Sequence, residues 1–259
     1  MKVDTMFLPP RHAEILEMAK EHGRVLVDDL AVHFNLTPQT IRKDLNDLCD
    51  QRLLTRIHGG ALFPSGVQNL EYEARRLIAA GEKEAIGRAA ANLIPDNASL
   101  FVNIGTTTEA VGQALLDRKG LMIITNNINV ANKLRIYPDI EVVIAGGVVR
   151  GSDGGIVGEA AVDFIRQFKV DFAVIGTSAI DSDGALLDFD FREVKVAQAI
   201  MANARHVILV SDSTKFERTA PVRIGHLSQV HTFITDRCES AAIRQICADA
   251  DVRLIETSA

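Results

Sequence analysis

Apolar residues recur along this chain at two different spacings. In the first, helical part, Ile15, Leu16, Met18 and Ala19 make one stripe that Gly23 ends, and Leu30, Ala31 and Phe34 make a second, opened by Asp28-Asp29. Asn35-Leu36 is a turn. Thr37 then suits an N-cap and Pro38 the first helical position, where its missing N–H would have no partner anyway. Ile41, Leu45 and Leu48 form the buried stripe of this third helix, leaving Gln39, Thr40, Arg42, Lys43 and Asn46 away from the core. LLTRIHGGALF follows, two short β-prone runs around Gly59-Gly60, which is hairpin chemistry. Helix, helix-turn-helix, hairpin is the order of a winged helix.

Further on, helical patterns alternate with strands. Short apolar runs at Ser99–Ile104, Met122–Thr125, Val142–Ala145, Phe172–Gly176, Val207–Val210 and Thr232–Thr235 are separated by EAVGQALLDR, INVANKLR, EAAVDFIRQF, REVKVAQAIMANA and ESAAIRQICADA. Such alternation predicts an α/β domain with a mainly parallel sheet covered on both faces. Between the halves, Pro64 to Gly81, with Ser65 and Gly66, reads as a linker that becomes helical. The expected organisation is a winged helix-turn-helix domain over 1–63, a linker and coupling helix over 64–81, and a larger α/β domain over 82–259.

Composition narrows the classes. At 259 residues, 47% hydrophobic and 24% charged, the chain has ample material for a core. MKVDTMFLPPR has no signal-peptide grammar, and no run reaches the roughly 18 apolar residues needed to cross a bilayer, so a cytoplasmic protein is expected. Cys49, Cys238 and Cys247 match no zinc spacing and read as buried or incidental thiols, with no metal expected. A net charge of -6 argues against coating nucleic acid by bulk charge, though not against a local patch on phosphates.

A helix entering the major groove N-terminus first presents its first turn and a half to base edges. Gln39, Thr40 and Arg42 have that placement; Gln can pair with adenine and Arg with guanine. Lys43, Arg56 and His58 suit phosphates or an adjacent minor groove, beside the cap Thr37 and Asn46. Exposed Arg and Lys also occur on any solvated helix. The cap, the preceding helices and the hairpin, in that order, favour DNA.

In SLFVNIGTTTEAVGQAL a strand runs through Gly105 into Thr106, Thr107 and Thr108 at a helix start, which suits a dianion; the alternative is an ordinary N-cap with Glu109 on the dipole. Similar polar loops hold Asn126 and Asn127, Gly146 and Gly147, Asp153 and Gly154, and Gly176, and they should converge at the carboxyl edge of the sheet. Arg150, Lys195 and Lys215 are candidates to neutralise a phosphate, and Asp181, Glu193 and Asp212 to accept from hydroxyl groups. No G-x-G-x-x-G follows a strand, so no nicotinamide cofactor is expected.

TPQTIRKDL followed by LTRIHGGA resembles the N-terminal domain of the DeoR-type family of bacterial transcription regulators, with Thr40, Arg42, Asp44 and His58-Gly59-Gly60 at its signature positions. The resemblance runs from about Arg11 to about Ile255. It implies a sensor domain similar to ribose-5-phosphate isomerases that binds a phosphorylated effector. NIGTTTEAV, ITNNINVANKL, AGGVVRGSDGGIVGEA, DFIRQF and GTSAIDSDGALLDFDF resemble the branch responding to glycerol 3-phosphate. The implied function is a repressor of a glycerol catabolic regulon that releases double-stranded operator DNA when glycerol 3-phosphate or a related ester binds. Alternatives are a repressor for another sugar phosphate and an isomerase-type enzyme. The enzyme is disfavoured because Ile175-Gly176-Thr177-Ser178 stands where the isomerases carry an acidic turn. Two-fold operators imply a homo-oligomer, dimer or tetramer.

Overall fold

A computed structural model describes residues 8–22, 24–51, 53–57, 59–63 and 72–257; Gly23, His58 and the linker residues 64–71, Ser65 and Gly66 among them, lie outside this set. The chain divides into two compact units, Met1–Ile78 and Ala79–Ala259.

In the smaller unit α1 (Pro10–His22), α2 (Val27–His33) and α3 (Pro38–Asp50) enclose Ile15, Leu16, Leu30, Ile41, Leu45 and Leu48. The Thr37 side chain caps α3 by accepting from the Thr40 N–H at 3.3 Å, ahead of Pro38. α2 starts one residue before the Asp28-Asp29 pair and stops at His33, so Phe34 is its C-cap and not a helical residue. The wing has three strands where the pattern predicted two. β1 (Arg24–Leu26), β2 (Thr55–Ile57) and β3 (Gly60–Leu62) pair antiparallel in the order β1-β3-β2. Three residues are too few to show a period, which hid β1. α4 (Tyr72–Leu77) is the last helix of the unit.

The larger unit runs α5 (Ala80–Leu93), β4 (Ser99–Val102), α6 (Thr106–Ala114), β5 (Leu121–Thr125), α7 (Ile128–Leu134), β6 (Ile140–Ile144), β7 (Val148–Val149) and β8 (Ile156–Val157). It continues with α8 (Glu159–Ile165), β9 (Val170–Ile175), β10 (Ala179–Ile180), β11 (Ala185–Asp188), α9 (Phe191–Ala202), β12 (Ala204–Val210), β13 (Val222–His226), β14 (Thr232–Thr235), α10 (Ala241–Asp249) and β15 (Arg253–Glu256). Seven strands form one parallel sheet in the order β15-β14-β12-β9-β4-β5-β6. Alternate residues go to opposite faces, as the two-residue period of a strand requires. Leu100, Val102, Ile208 and Val210 join Ile86, Val111 and Val130 of α5, α6 and α7. Phe101, Val207, Leu209 and Phe233 join Ile165, Ile200 and Ile243 of α8, α9 and α10. All six predicted strands lie in this sheet. β15, at one edge, was not predicted, because its residues are only partly buried and give no apolar run. Cys238 and Cys247 are buried thiols of the core, and Cys49 is half-buried.

Two small antiparallel sheets, β7-β8 and β10-β11-β13, sit in connections that the sequence pattern presents as loops. Chain order reverses between β4 and β9: from β4 the chain builds outward through β5 and β6, and from β9 through β12, β14 and β15. Connections leaving two such strands part to opposite faces and open a crevice at their carboxyl ends.

Candidate functional site

The smaller unit presents α3 as a helix with one buried and one open side. Ile41, Asp44, Leu45 and Leu48 are buried, whereas Gln39, Arg42, Lys43 and Asn46 are exposed, as is Arg56 on β2. Thr37 and Thr40 share a hydroxyl hydrogen bond of 3.0 Å, so both are engaged at the start of the helix. Asp44 is the buried polar member. It accepts from Arg11 Nε at 2.7 Å and Nη2 at 2.8 Å and faces His12 Nε2 at 3.2 Å. Burial alone pushes the Asp44 carboxyl up; hydrogen bonds and charge from Arg11 and His12 outweigh it and hold the group below its ordinary range. Its sequence position gave no sign of this pairing with α1.

In the larger unit the crevice between β4 and β9 is lined from several strands. Asn103 extends the ladder by donating its N–H to the Val174 carbonyl at 3.0 Å. The chain then turns at Gly105, whose φ of +144° favours glycine, and α6 begins. The first N–H groups of a helix have no partner within it, so this start presents donors and the positive end of the dipole to the crevice. Thr106 is half-buried and Thr107 buried, and among the described residues neither side chain makes a hydrogen bond. Gly176, just past β9, lies against this turn: a Cβ there would sit 3.6 Å from Thr108 Cγ2.

α5 supplies a group that sequence reasoning missed. Both α5 and α6 run back against β4, and they touch where a Cβ on Gly87 would fall 2.7 Å from the Ala110 carbonyl oxygen. One turn earlier on each helix stand Lys83 and Thr106, so the Lys83 ammonium belongs to the same edge as the start of α6. Lys83 is buried, with Nζ 3.9 Å from Asp212 Oδ2 at the end of β12; Lys215 Nζ lies 4.0 Å from the same oxygen. Asp212 is completely buried, and its other oxygen accepts from the Thr214 N–H and hydroxyl. Burial pushes its carboxyl up, but Lys215 and Lys83 and the Thr214 hydrogen bonds outweigh this and hold it ionised. Asp212 therefore holds two lysines beside it, while its Oδ2 accepts no hydrogen bond among the described residues.

Other expected site residues prove to be engaged elsewhere. The Thr108 hydroxyl donates to the Asn103 and Gly105 carbonyls at 2.7 and 2.8 Å, which makes it a brace of the turn. Asn127 Oδ1 caps α7 through the Asn129 and Val130 N–H groups, and its Nδ2 donates to Glu109. Lys195 pairs with Glu159 at 2.6 Å on an exposed face, and Asp181 is exposed in the β10-β11 turn, where its carboxylate accepts from the Ser182 N–H and its carbonyl from the Gly184 N–H. Gly146 is exposed and a Cβ there would point into open space, and Gly147 packs on Ile156 and Ala161.

The β7-β8 hairpin carries a separate cluster. Arg150 reaches Asp153 at 2.7 Å, Asp190 at 3.2 Å and Glu193 at 2.5 Å, tying the hairpin to the start of α9. With three carboxyl groups on its guanidinium, Arg150 braces the hairpin against α9. Glu193 is buried, which pushes its carboxyl up to about 8 with help from Asp188 and against the pull of Arg150. The turn residues Asp153 and Gly154 hold the hairpin: Asp153 Oδ1 accepts from the Gly155 N–H, and the Gly154 carbonyl from the Ile128 N–H. Gly155 lies against Ile104, so the hairpin borders the crevice. Among the described residues no cluster of His, Cys, Asp and Glu is arranged to hold a metal ion, and no helix is long and apolar enough to cross a membrane.

Comparison with known proteins follows the same division. The family model described as DeoR-like helix-turn-helix domain matches residues 11–67, and the one described as DeoR C terminal sensor domain matches residues 78–237. The chain is 47% identical over 244 residues to the glycerol-3-phosphate regulon repressor of Escherichia coli (strain K12), covering 94% of this chain and 97% of that one. It is 41% identical over 246 residues to the HTH-type transcriptional repressor CsqR of the same strain, covering 95% and 94%. Ribose 5-phosphate isomerase A from Neisseria gonorrhoeae matches over 52% of each chain, with 14% identity and a TM-score of 0.38.

Proposed function

Because the chain belongs to the DeoR family of transcription regulators, we propose that it represses a glycerol 3-phosphate catabolic regulon and leaves its operator when glycerol 3-phosphate binds the larger unit. The observation that carries this reading is the 47% identity extending over almost the whole length of both chains. In this reading residues 1–63 read DNA, 64–81 couple and 82–259 sense. Gln39, Thr40 and Arg42 meet base edges, and Lys43, Asn46, Arg56 and His58 meet the backbone or minor groove. The phosphate sits at the start of α6, against Thr106, Thr107 and the backbone of Gly105 and Gly176, with Lys83 and Lys215 supplying positive charge. The reader works as a homo-oligomer in the cytoplasm, because half-sites of a palindrome call for two heads.

Catalysis is not part of this reading. Thr177 donates its hydroxyl to the Ala179 and Leu187 carbonyls and Ser178 to Asp188, so the turn after β9 is built to brace β10 and β11 and offers no base for proton transfer.

The test is an operator selected by the full-length protein from random duplexes, titrated with a panel of phosphate esters. Glycerol 3-phosphate should release it at the lowest concentration. Release by a hexose or fructose phosphate at lower concentration would replace this effector with another sugar phosphate.

A further inference from the structure

Two buried amides at the crevice are left with an acceptor that no group among the described residues satisfies. Asn103 Oδ1 and Asn126 Oδ1 are both buried without a hydrogen-bond partner. Such an oxygen is costly to bury unless something donates to it. The two residues are neighbours. Val102 of β4 pairs with Thr125 of β5, and each asparagine is the next residue along its strand. Phe101 and Ile124, the pair one step back, point to the face covered by α8 and α9, so the pleat sends both asparagine side chains to that face. Both therefore stand at the tips of adjacent strands, directly after the last residue pair of the ladder.

The orientation of Asn126 is fixed. Its Nδ2 donates to the Ile156 carbonyl at 3.1 Å while the Ile156 N–H donates to its backbone carbonyl at 2.7 Å, so the free atom is the oxygen. The dianion that predominates for a phosphate ester at neutral pH has no proton to offer such an oxygen, whereas an alcohol does. We propose that Asn103 and Asn126 are the specificity residues that accept hydrogen bonds from hydroxyl groups of the effector, selecting a phosphate ester of a polyol over an alkyl phosphate. This rests on the effector site assigned above. The start of α6 holds the phosphate on one side of the strand tips, and the hydroxyl-bearing chain crosses Gly105 and Gly176 to the asparagines on the other.

Calorimetry on the full-length protein tests this with glycerol 3-phosphate, 2-hydroxypropyl phosphate and propyl phosphate, which lose one hydroxyl at each step. Affinity should fall along the series, by about 10- to 100-fold in total, as buried acceptors lose their donors. In Asn103→Leu, at an unchanged melting temperature, the preference for glycerol 3-phosphate over propyl phosphate should shrink to a few fold, and Asn103→Asp, which keeps an acceptor, should restore part of it. A purely structural asparagine would change stability and leave that ratio alone. Equal affinity for the three esters in the parent protein overturns the proposal without any variant, and so does an unchanged ratio in Asn103→Leu. If Asn103→Leu does not fold, the three-ester series decides alone. Absence of binding by every ester would remove the effector site itself and this inference with it.

Discussion

Arg11 grips Asp44 with two parallel hydrogen bonds, Nε to Oδ2 at 2.7 Å and Nη2 to Oδ1 at 2.8 Å, and so ties the first helix of the smaller unit to the third. Asp44 lies buried on the side of α3 turned away from Gln39 and Arg42, and it fixes how the helix is presented. Asp44→Ala should lower the stability of this unit by about 1–3 kcal/mol, by removing the Arg11 hydrogen bonds that join α1 to α3 and leaving the buried His12 without its partner. Operator affinity should fall for all sequences alike. Because the folded carboxyl titrates below its ordinary 3.8, its contribution is complete above that pH and is lost as pH falls through the folded value. Thermal melting of parent and variant between acidic and neutral pH checks both statements.

The exposed cations of α3 should separate by role. Arg42→Ala should cost about 1–3 kcal/mol of specific binding and relax discrimination at one base position, while Lys43→Ala should weaken every sequence and flatten the salt dependence. Mobility shifts at several salt concentrations distinguish the two. Unchanged operator affinity in Arg42→Ala would remove α3 as the reader.

Much of the fold was legible because its physics is local or repetitive. The inner parallel strands are largely buried on both faces, so they read as unbroken apolar runs, and Thr37-Pro38 announces a helix start by backbone chemistry alone. What the sequence hid depends on distant partners. Lys83, in GEKEAIGR, looks like a solvated helix lysine and is buried only because the tip of β12 brings Asp212 to it. Asp44 looks equally ordinary without Arg11. Conversely, Thr108 and Asn127 have the residue types of ligand groups but brace the turns that carry them, and sequence cannot distinguish a hydroxyl or amide that caps a helix from one that faces a crevice. Short antiparallel strands such as β7 and β8, two residues each, carry no period to read.

Glu193 should give the larger unit a pH dependence of unusual sign for a carboxylate. Its folded value of about 8 lies above its ordinary 4.5, so the folded state holds a proton that the unfolded chain has released. The resulting stabilisation is complete below about 4.5 and is lost as pH rises towards 8, where the ionised group would face Asp188 and Asp153 with Arg150 as its counter-charge. Glu193→Gln, which stays neutral, should flatten the melting temperature of this unit over that interval and be the more stable form at pH 9. A parent and variant that lose stability in parallel as pH rises would show that Glu193 is ionised throughout.

Lys83 offers the sharpest test of where the anion sits. Its ammonium and that of Lys215 share Asp212 at the edge where α6 begins, so removing one takes positive charge from the proposed phosphate position and leaves the α6 donors in place. Lys83→Met keeps the apolar stem that packs between α5 and the sheet, and should weaken glycerol 3-phosphate binding by about 10- to 100-fold, the scale of a hydrogen bond to a charged group. The phenotype is a repressor that holds its operator at effector concentrations that release the parent. Lys83→Arg, which keeps the charge but spreads it over a planar group, should recover only part of the response. Thr106→Val with Thr107→Val should act in the same direction through loss of donors. Titrating operator release in the three variants orders them directly, and normal release in Lys83→Met would move the phosphate away from α5 and the start of α6.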